Sequence, residues 1–144
     1  MNDEPRPADT AAMFRRLREL ALPLGDYAVF GSGPLAIRGW IEAAADLDVV
    51  CRGAAWEEVR RIGTRRRIEE GGIEVEIVAL DGGALTFGRR WALGGFDVDA
   101  LIDTAEIIDG LPFVRLEHVA AFKRAAGRPK DRAHLEAMRR HGAC

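Results

Sequence analysis

The chain has 144 residues, of which 48% are hydrophobic and 31% charged, and its formal net charge is −2. A chain of that length is most simply one domain burying roughly 70% of its unfolded surface, and the near balance of charge excludes a global pull toward nucleic acid or anionic membrane. No apolar run reaches the length of a membrane span, the opening "MNDEPRPADT" has no basic or apolar signal region, and two cysteines make no disulfide framework, so a cytoplasmic protein is expected.

Residues 1–9, rich in Pro and acid, predict a disordered lead-in to a single domain over 10–144. Met13, Phe14, Leu17, Leu20 and Ala21 recur at helical spacing, and Pro23 ends that helix. Tyr27–Phe30 is a short apolar strand cut off by Gly31. Pro34 suits the first turn of a helix that would carry Leu35, Ile37, Trp40 and Ile41. Leu47–Cys51 is a second strand with β-branched Val49 and Val50 at its centre, and Cys51 belongs to the core. A helix over Trp56–Ile62 stops at Gly63. "TRRRIEEGGIEVEIVAL" predicts two strands joined at Gly71-Gly72. In the second of them Ile73, Val75 and Ile77 alternate with Glu74 and Glu76.

The stretch from Asp81 to Asp103 is glycine-rich, holds three aromatics and signals no definite element. "TAEIIDGLPFVRL" predicts a last hairpin around Asp109-Gly110, and two helices, Leu116–Ala126 and Lys130–Arg140, follow on either side of Gly127 and Pro129. The sum is an α+β (α/β) domain: a mixed sheet of about five strands flanked by helices, closed by a C-terminal helical pair.

Chemistry concentrates between Tyr27 and Cys51. Gly31-Ser32-Gly33-Pro34-Leu35-Ala36 satisfies the dinucleotide pattern G-x-G-x-x-[GA] between a strand and a helix. A Rossmann unit, however, carries its acid at the far end of the second strand. Here Asp46 and Asp48 stand at the entrance of that strand, and no repeated βαβ units follow. Side chains alternate along a strand, so Asp46 and Asp48 share one side. Two carboxylates that close raise each other's cost of ionising, and such a pair marks a cation. Hard oxygen ligands suit Mg²⁺, which brings substrate phosphates with it. The glycines of the upstream turn let backbone approach phosphate oxygens.

An apolar residue, Gly-Ser, a short helix and then Asp-x-Asp among apolar residues resembles the nucleotidyltransferase (polymerase-β-like) superfamily. Phe30, Gly31 and Ser32 match the first part of its pattern, and Asp46, Leu47, Asp48 and Val49 match the second. The C-terminal "FKRAAGRPKDRAHLEAM" is similar to the tail of the small bacterial branch that includes abortive-infection and toxin-type enzymes, through Lys123, Arg128, Lys130 and Asp131. That tail often carries a further Asp where this chain has His134.

The resemblance implies a nucleotidyltransferase-like fold and transfer of a nucleoside monophosphate from an NTP, ATP foremost, to an acceptor hydroxyl with release of pyrophosphate. Asp46 and Asp48 would hold two Mg²⁺ ions. A third carboxylate from a later strand would be Glu76, with Glu74 as its rival. Gly31, Ser32 and Gly33 would bind phosphates, and Lys123, Arg128 or Lys130 would neutralise their charge. The acceptor would be a small molecule, an RNA or a protein, and an antitoxin-like partner is a further implication. A second class is a nucleotidyltransferase-like domain that binds nucleotide or a partner without turnover.

Each residue also has a purely structural reading. Asp46 and Asp48 would be a solvated strand entrance, Glu76 the wet face of a half-buried strand, and Ser32 a helix cap. Gly127-Arg128-Pro129 would stop one helix and start the next, with Asp131 a favourable first-turn acid. Arg65, Arg66 and Arg67 read as a solvated strand face, and His118, His134 and His141 as surface or packing residues.

Overall fold

The computed structural model describes residues 9–70, 72–90 and 97–143. In chain order its elements are α1 (Thr10–Glu19), β1 (Tyr27–Phe30), α2 (Gly33–Ala36), β2 (Leu47–Cys51), α3 (Gly53–Ile62), β3 (Thr64–Glu70) and β4 (Ile73–Leu80). A 3₁₀ turn (Asp81–Gly83), β5 (Leu85–Gly88), α4 (Val98–Asp103), β6 (Glu106–Ile108), β7 (Leu111–Phe113), α5 (Leu116–Ala126) and α6 (Pro129–Arg140) complete it. The disordered lead-in expected over 1–9 lies outside the described residues except for Asp9, which caps α1 by accepting from the Ala12 amide at 3.1 Å. Gly71 of the expected Gly71-Gly72 turn also lies outside them, as do residues 91–96 of the glycine-rich stretch.

The fold is α+β, with seven strands among the described residues where about five were expected. The strand that sequence signals missed is β5, inside the glycine-rich stretch. Two helices are shorter than predicted: α1 stops at Glu19, with Leu20 as its C-cap and Ala21 at φ +50°, and α2 is cut further. α2 ends after Ala36 because Gly39 takes a left-handed conformation at φ +75°. The Gly39 amide bonds the Ala36 carbonyl and the Trp40 amide the Leu35 carbonyl, the paired bonds of a Schellman ending. Trp40 and Ile41 therefore leave the helix and pack as irregular chain against the core. The hairpin at Asp109-Gly110 is as predicted: both residues have positive φ, 50° and 78°, the twist a two-residue turn requires.

The strands lie in the order β3-β4-β5-β2-β1-β7-β6. β1 runs antiparallel to β2 and parallel to β7, while β2 runs parallel to β5. Register decides which side chains share a face. Phe30, Asp48, Thr86, Ala79 and Thr64 stand side by side across β1, β2, β5, β4 and β3. Their neighbours Val29, Val49, Phe87 and Val78 form the adjacent row, on the opposite face.

Each face has its own core. Leu17 and Phe14 of α1 and Trp56 and Val59 of α3 pack with Val29, Val49, Phe87 and Val78 on one side. Leu101 of α4, Val119 and Phe122 of α5, and Leu135 and Met138 of α6 pack with Ala28, Phe30 and Val50 on the other. The sheet is thus a middle layer, and Asp48 points to the α5–α6 side. Among the described residues no helix is long and apolar enough to cross a membrane.

Candidate functional site

The site is built where β1 turns away from β2. Gly31 has φ +63°, and a methyl group there would stand 2.9 Å from Asp48 Oδ2. Only glycine lets the backbone bend so close to that carboxylate. Gly33 has a different reason to be glycine: a side chain would meet Val29 Cγ1 at 2.4 Å. Gly33 is buried against Val29, behind the residues that line the cleft. Ser32 precedes α2 but makes no side-chain capping bond. Its hydroxyl faces the cleft, 3.4 Å from His134 Nδ1. The capping explanation for Ser32 therefore falls away.

Asp46 lies in the bend before β2, and Asp48 is the second residue of that strand. Both line one cleft of about 370 Å³, together with Gly31, Ser32, Lys123, Arg128, Lys130 and His134. The opposite wall comes from the C-terminal helical pair. Phe122 of α5 packs edge-on against Phe30 of β1, ring centroids 5.2 Å apart, a contact worth roughly 1 kcal/mol beyond area burial. That contact anchors the next residue, Lys123, whose side chain is only 1% exposed. Gly127, at φ +61°, then ends α5 in a left-handed turn, and its amide bonds the Lys123 carbonyl.

Arg128 caps α6. Its Nε and Nη2 donate to Asp131 at 2.6 and 3.1 Å, and its backbone amide donates to the same carboxylate at 3.1 Å. The fully buried Asp131 is thus the brace of the turn, a capping box joined to a bidentate guanidinium. Lys123 Nζ stands 3.7 Å from Asp131 and 2.9 Å from His134 Nδ1.

Electrostatics separate the two walls. Burial and then the neighbouring Asp46 push Asp48 up to about 7, against the pull of Lys130, Arg128 and Lys123. Burial also raises Asp46, opposed by Lys130. On the other wall, burial draws Lys123 down to about 8, although Asp131 opposes it. Burial and then Lys123 draw His134 down to about 4, so its imidazole is neutral at physiological pH. Burial pushes Asp131 upward, but the Arg128 hydrogen bonds and charge outweigh it and hold the carboxyl below its ordinary value. A half-buried carboxylate pair faces a basic wall held in place by one buried acid. Such an arrangement suits a ligand carrying both a cation and several phosphates.

Glu76 does not join this site. On β4 the residue on the Asp48 face is Ala79, so Glu76 and Glu74, both an odd number of residues away, project from the opposite face. Glu76 bonds Arg60 of α3 at 3.1 Å, and Glu74 pairs with Arg67 at 3.6 Å. The residue beside Asp48 on the neighbouring strand is Thr86 of β5, a hydroxyl and not a carboxylate. Among the described residues no group of three or more His, Cys, Asp or Glu is placed to hold a metal. Mg²⁺ commonly takes one or two carboxylates and fills its remaining positions with water and substrate phosphates. Asp46 and Asp48 fit that mode and do not fit a closed protein cage.

The residue that sequence reasoning missed is His134, half-buried in the cleft wall rather than a surface or packing group. Its signal was its place in α6, three residues beyond Asp131 and so on the same helix face. Cys51, by contrast, is a core residue as expected, fully buried with its thiol pushed up to about 12 by burial. Arg65, Arg66 and Arg67 are exposed. No protein-family model, no curated protein and no solved structure matches this chain.

Proposed function

We propose that the chain is a Mg²⁺-dependent nucleotidyltransferase that moves a nucleoside monophosphate from an NTP, ATP foremost, to an acceptor hydroxyl. The observation that carries this reading is the single cleft in which Asp46 and Asp48 face Ser32, Lys123, Arg128 and Lys130. In the transfer, an acceptor oxygen bonds the α-phosphorus, the α–β bridging bond breaks, pyrophosphate leaves, and the acceptor's proton passes to water. Mg²⁺, when bound by Asp46 and Asp48, supplies Lewis-acid polarisation of the triphosphate. Ser32 donates its hydroxyl hydrogen to a phosphate oxygen. Lys123, Arg128 and Lys130 neutralise the charge that builds on the departing pyrophosphate. The Asp131 brace keeps Arg128 fixed, so less side-chain freedom is lost when phosphate binds. Glu76, on the other face of the sheet, has no part in this step.

A second reading is favoured by Thr86: a nucleotide-binding domain without turnover, because the strand beside Asp48 offers no carboxylate to take the acceptor's proton or a second ion. One experiment addresses both. Calorimetric titration of a non-hydrolysable ATP analogue, with and without Mg²⁺, is expected to give Mg²⁺-dependent binding to wild type and none to Asp46→Asn/Asp48→Asn. Transfer of label from α-phosphate-labelled NTPs to small-molecule, RNA or protein acceptors then separates the readings. Binding with no transfer to any acceptor class supports the second reading. Absence of binding by wild type with all four NTPs refutes both.

A further inference from the structure

Lys123 is a buried cation that shares its one close carboxylate with Arg128. Its nearest carboxylate, Asp131, stands 3.7 Å away and already receives three bonds from Arg128. The short contact of the ammonium is with a neutral group, His134 Nδ1 at 2.9 Å. An ammonium has only donors, so Nδ1 must be the acceptor, and the neutral ring then carries its proton on Nε2. Ser32 Oγ approaches the same Nδ1 at 3.4 Å. One nitrogen lone pair cannot serve both donors well, and the closer ammonium takes it. The Ser32 hydroxyl hydrogen, engaged in no cap of α2, is left for another acceptor.

We propose that His134 is a positioning residue: through Nδ1 it holds the Lys123 ammonium in the cleft wall and thereby leaves the Ser32 hydroxyl free to donate to a phosphate oxygen. A neutral acceptor orients the ammonium without adding negative charge, in contrast to the Asp that the similar tails often carry at this position. An Asp at 134 would form an ion pair with Lys123 and cancel the charge that the phosphates need, whereas the imidazole orients the ammonium without neutralising it. The inference rests on the triphosphate reading of the cleft, and it assigns the metal-free half of that affinity to the wall of Ser32, Lys123, Arg128 and Lys130.

The test separates the two ideas by using inorganic tripolyphosphate in EDTA, with no nucleotide and no metal. Wild type is expected to bind it, His134→Leu about tenfold more weakly, and His134→Asn within about threefold, because Asn carries an acceptor oxygen on Cγ where the ring carries Nδ1. His134→Asp is expected to weaken binding at least as much as His134→Leu. The double variant Lys123→Met/His134→Leu is expected to bind no more weakly than Lys123→Met alone, since His134 acts through Lys123. Long-range ¹H–¹⁵N spectra of the ligand-free protein near neutral pH supply a readout that binding does not touch: His134 should be the Nε2-protonated tautomer in wild type. Failure of wild type to bind tripolyphosphate, unchanged binding by His134→Leu, no rescue by Asn, or an Nδ1-protonated ring would each overturn the proposal. Tripolyphosphate binding with this pattern in a protein that shows no Mg²⁺-dependent ATP binding would sink the nucleotidyltransferase reading and leave the role of His134 standing.

Discussion

Replacing Asp48 by Asn should make the metal-free protein more stable, by an amount that grows with pH. Burial and Asp46 raise the Asp48 carboxyl from 3.8 to about 7 in the folded chain, whereas the unfolded chain releases that proton near 4. Below pH 4 both states are protonated and the group is neutral to folding. Between pH 4 and 7 the unfolded state has lost its proton and the folded state has not, so stability falls as pH rises, and above pH 7 the penalty is constant. Integrating this difference gives a cost of about 1.5 kcal/mol at pH 5 and about 4 kcal/mol at pH 8, a span of roughly 2.5 kcal/mol.

Wild type alone would not display that span, because His134 acts in the opposite direction. Its folded pKa, about 4, lies below the ordinary 6.5, so its contribution is lost as pH falls through the same window. The difference between Asp48→Asn and wild type removes the His134 contribution. Urea unfolding of both proteins at pH 5, 6, 7 and 8 in EDTA measures it. A stability difference that stays flat across those pH values, or an Asp48→Asn protein less stable than wild type at pH 8, would refute the claim that Asp48 is an anion held at a cost. Saturating Mg²⁺ with ATP analogue should shrink the difference, since a cation bound to the pair offsets the same penalty.

Gly31→Ala should lose Mg²⁺-dependent nucleotide binding and about 1–2 kcal/mol of stability, from a left-handed residue pressed against Asp48 Oδ2 at 2.9 Å; calorimetry and urea unfolding check it. Glu76→Gln should leave nucleotide binding and any turnover unchanged while removing at most about 1 kcal/mol of a half-exposed pair with Arg60; a hundredfold fall in turnover would put Glu76 back in the site. Thr86→Asp sets a carboxylate beside Asp48 and should raise Mg²⁺ affinity about tenfold, about 1.4 kcal/mol, read by titration of the metal with the bound analogue present.

Local pattern was enough for most elements and for half of the site. The β1 and β2 boundaries follow from short apolar runs cut by Gly31 and preceded by an Asp-Leu-Asp entrance, and the Asp46–Asp48 relation needs nothing beyond alternation along one strand. Glycine and proline punctuation was enough to place α5, the Gly127 turn and α6. α2 was overestimated because apolar spacing through Ile41 looked helical, while the decisive signal was a single left-handed Gly39.

What local pattern could not determine is which strand lies beside which. Glu76 has the alternation of a site carboxylate, yet β5 intervenes between its strand and β2, and the register turns Glu76 to the α3 side. β5 itself is four residues in a glycine-rich stretch, too short for a periodic signal, and it places Thr86 at the position that matters. His134, Lys123 and Ser32 meet across more than 100 residues of chain only because α5 and α6 fold back over β1. Periodicity reports the face that a residue shows within its own element. Strand order and helix docking come from burying two apolar layers against one sheet at once, and only the folded chain brings Thr86, Lys123 and His134 to the two aspartates.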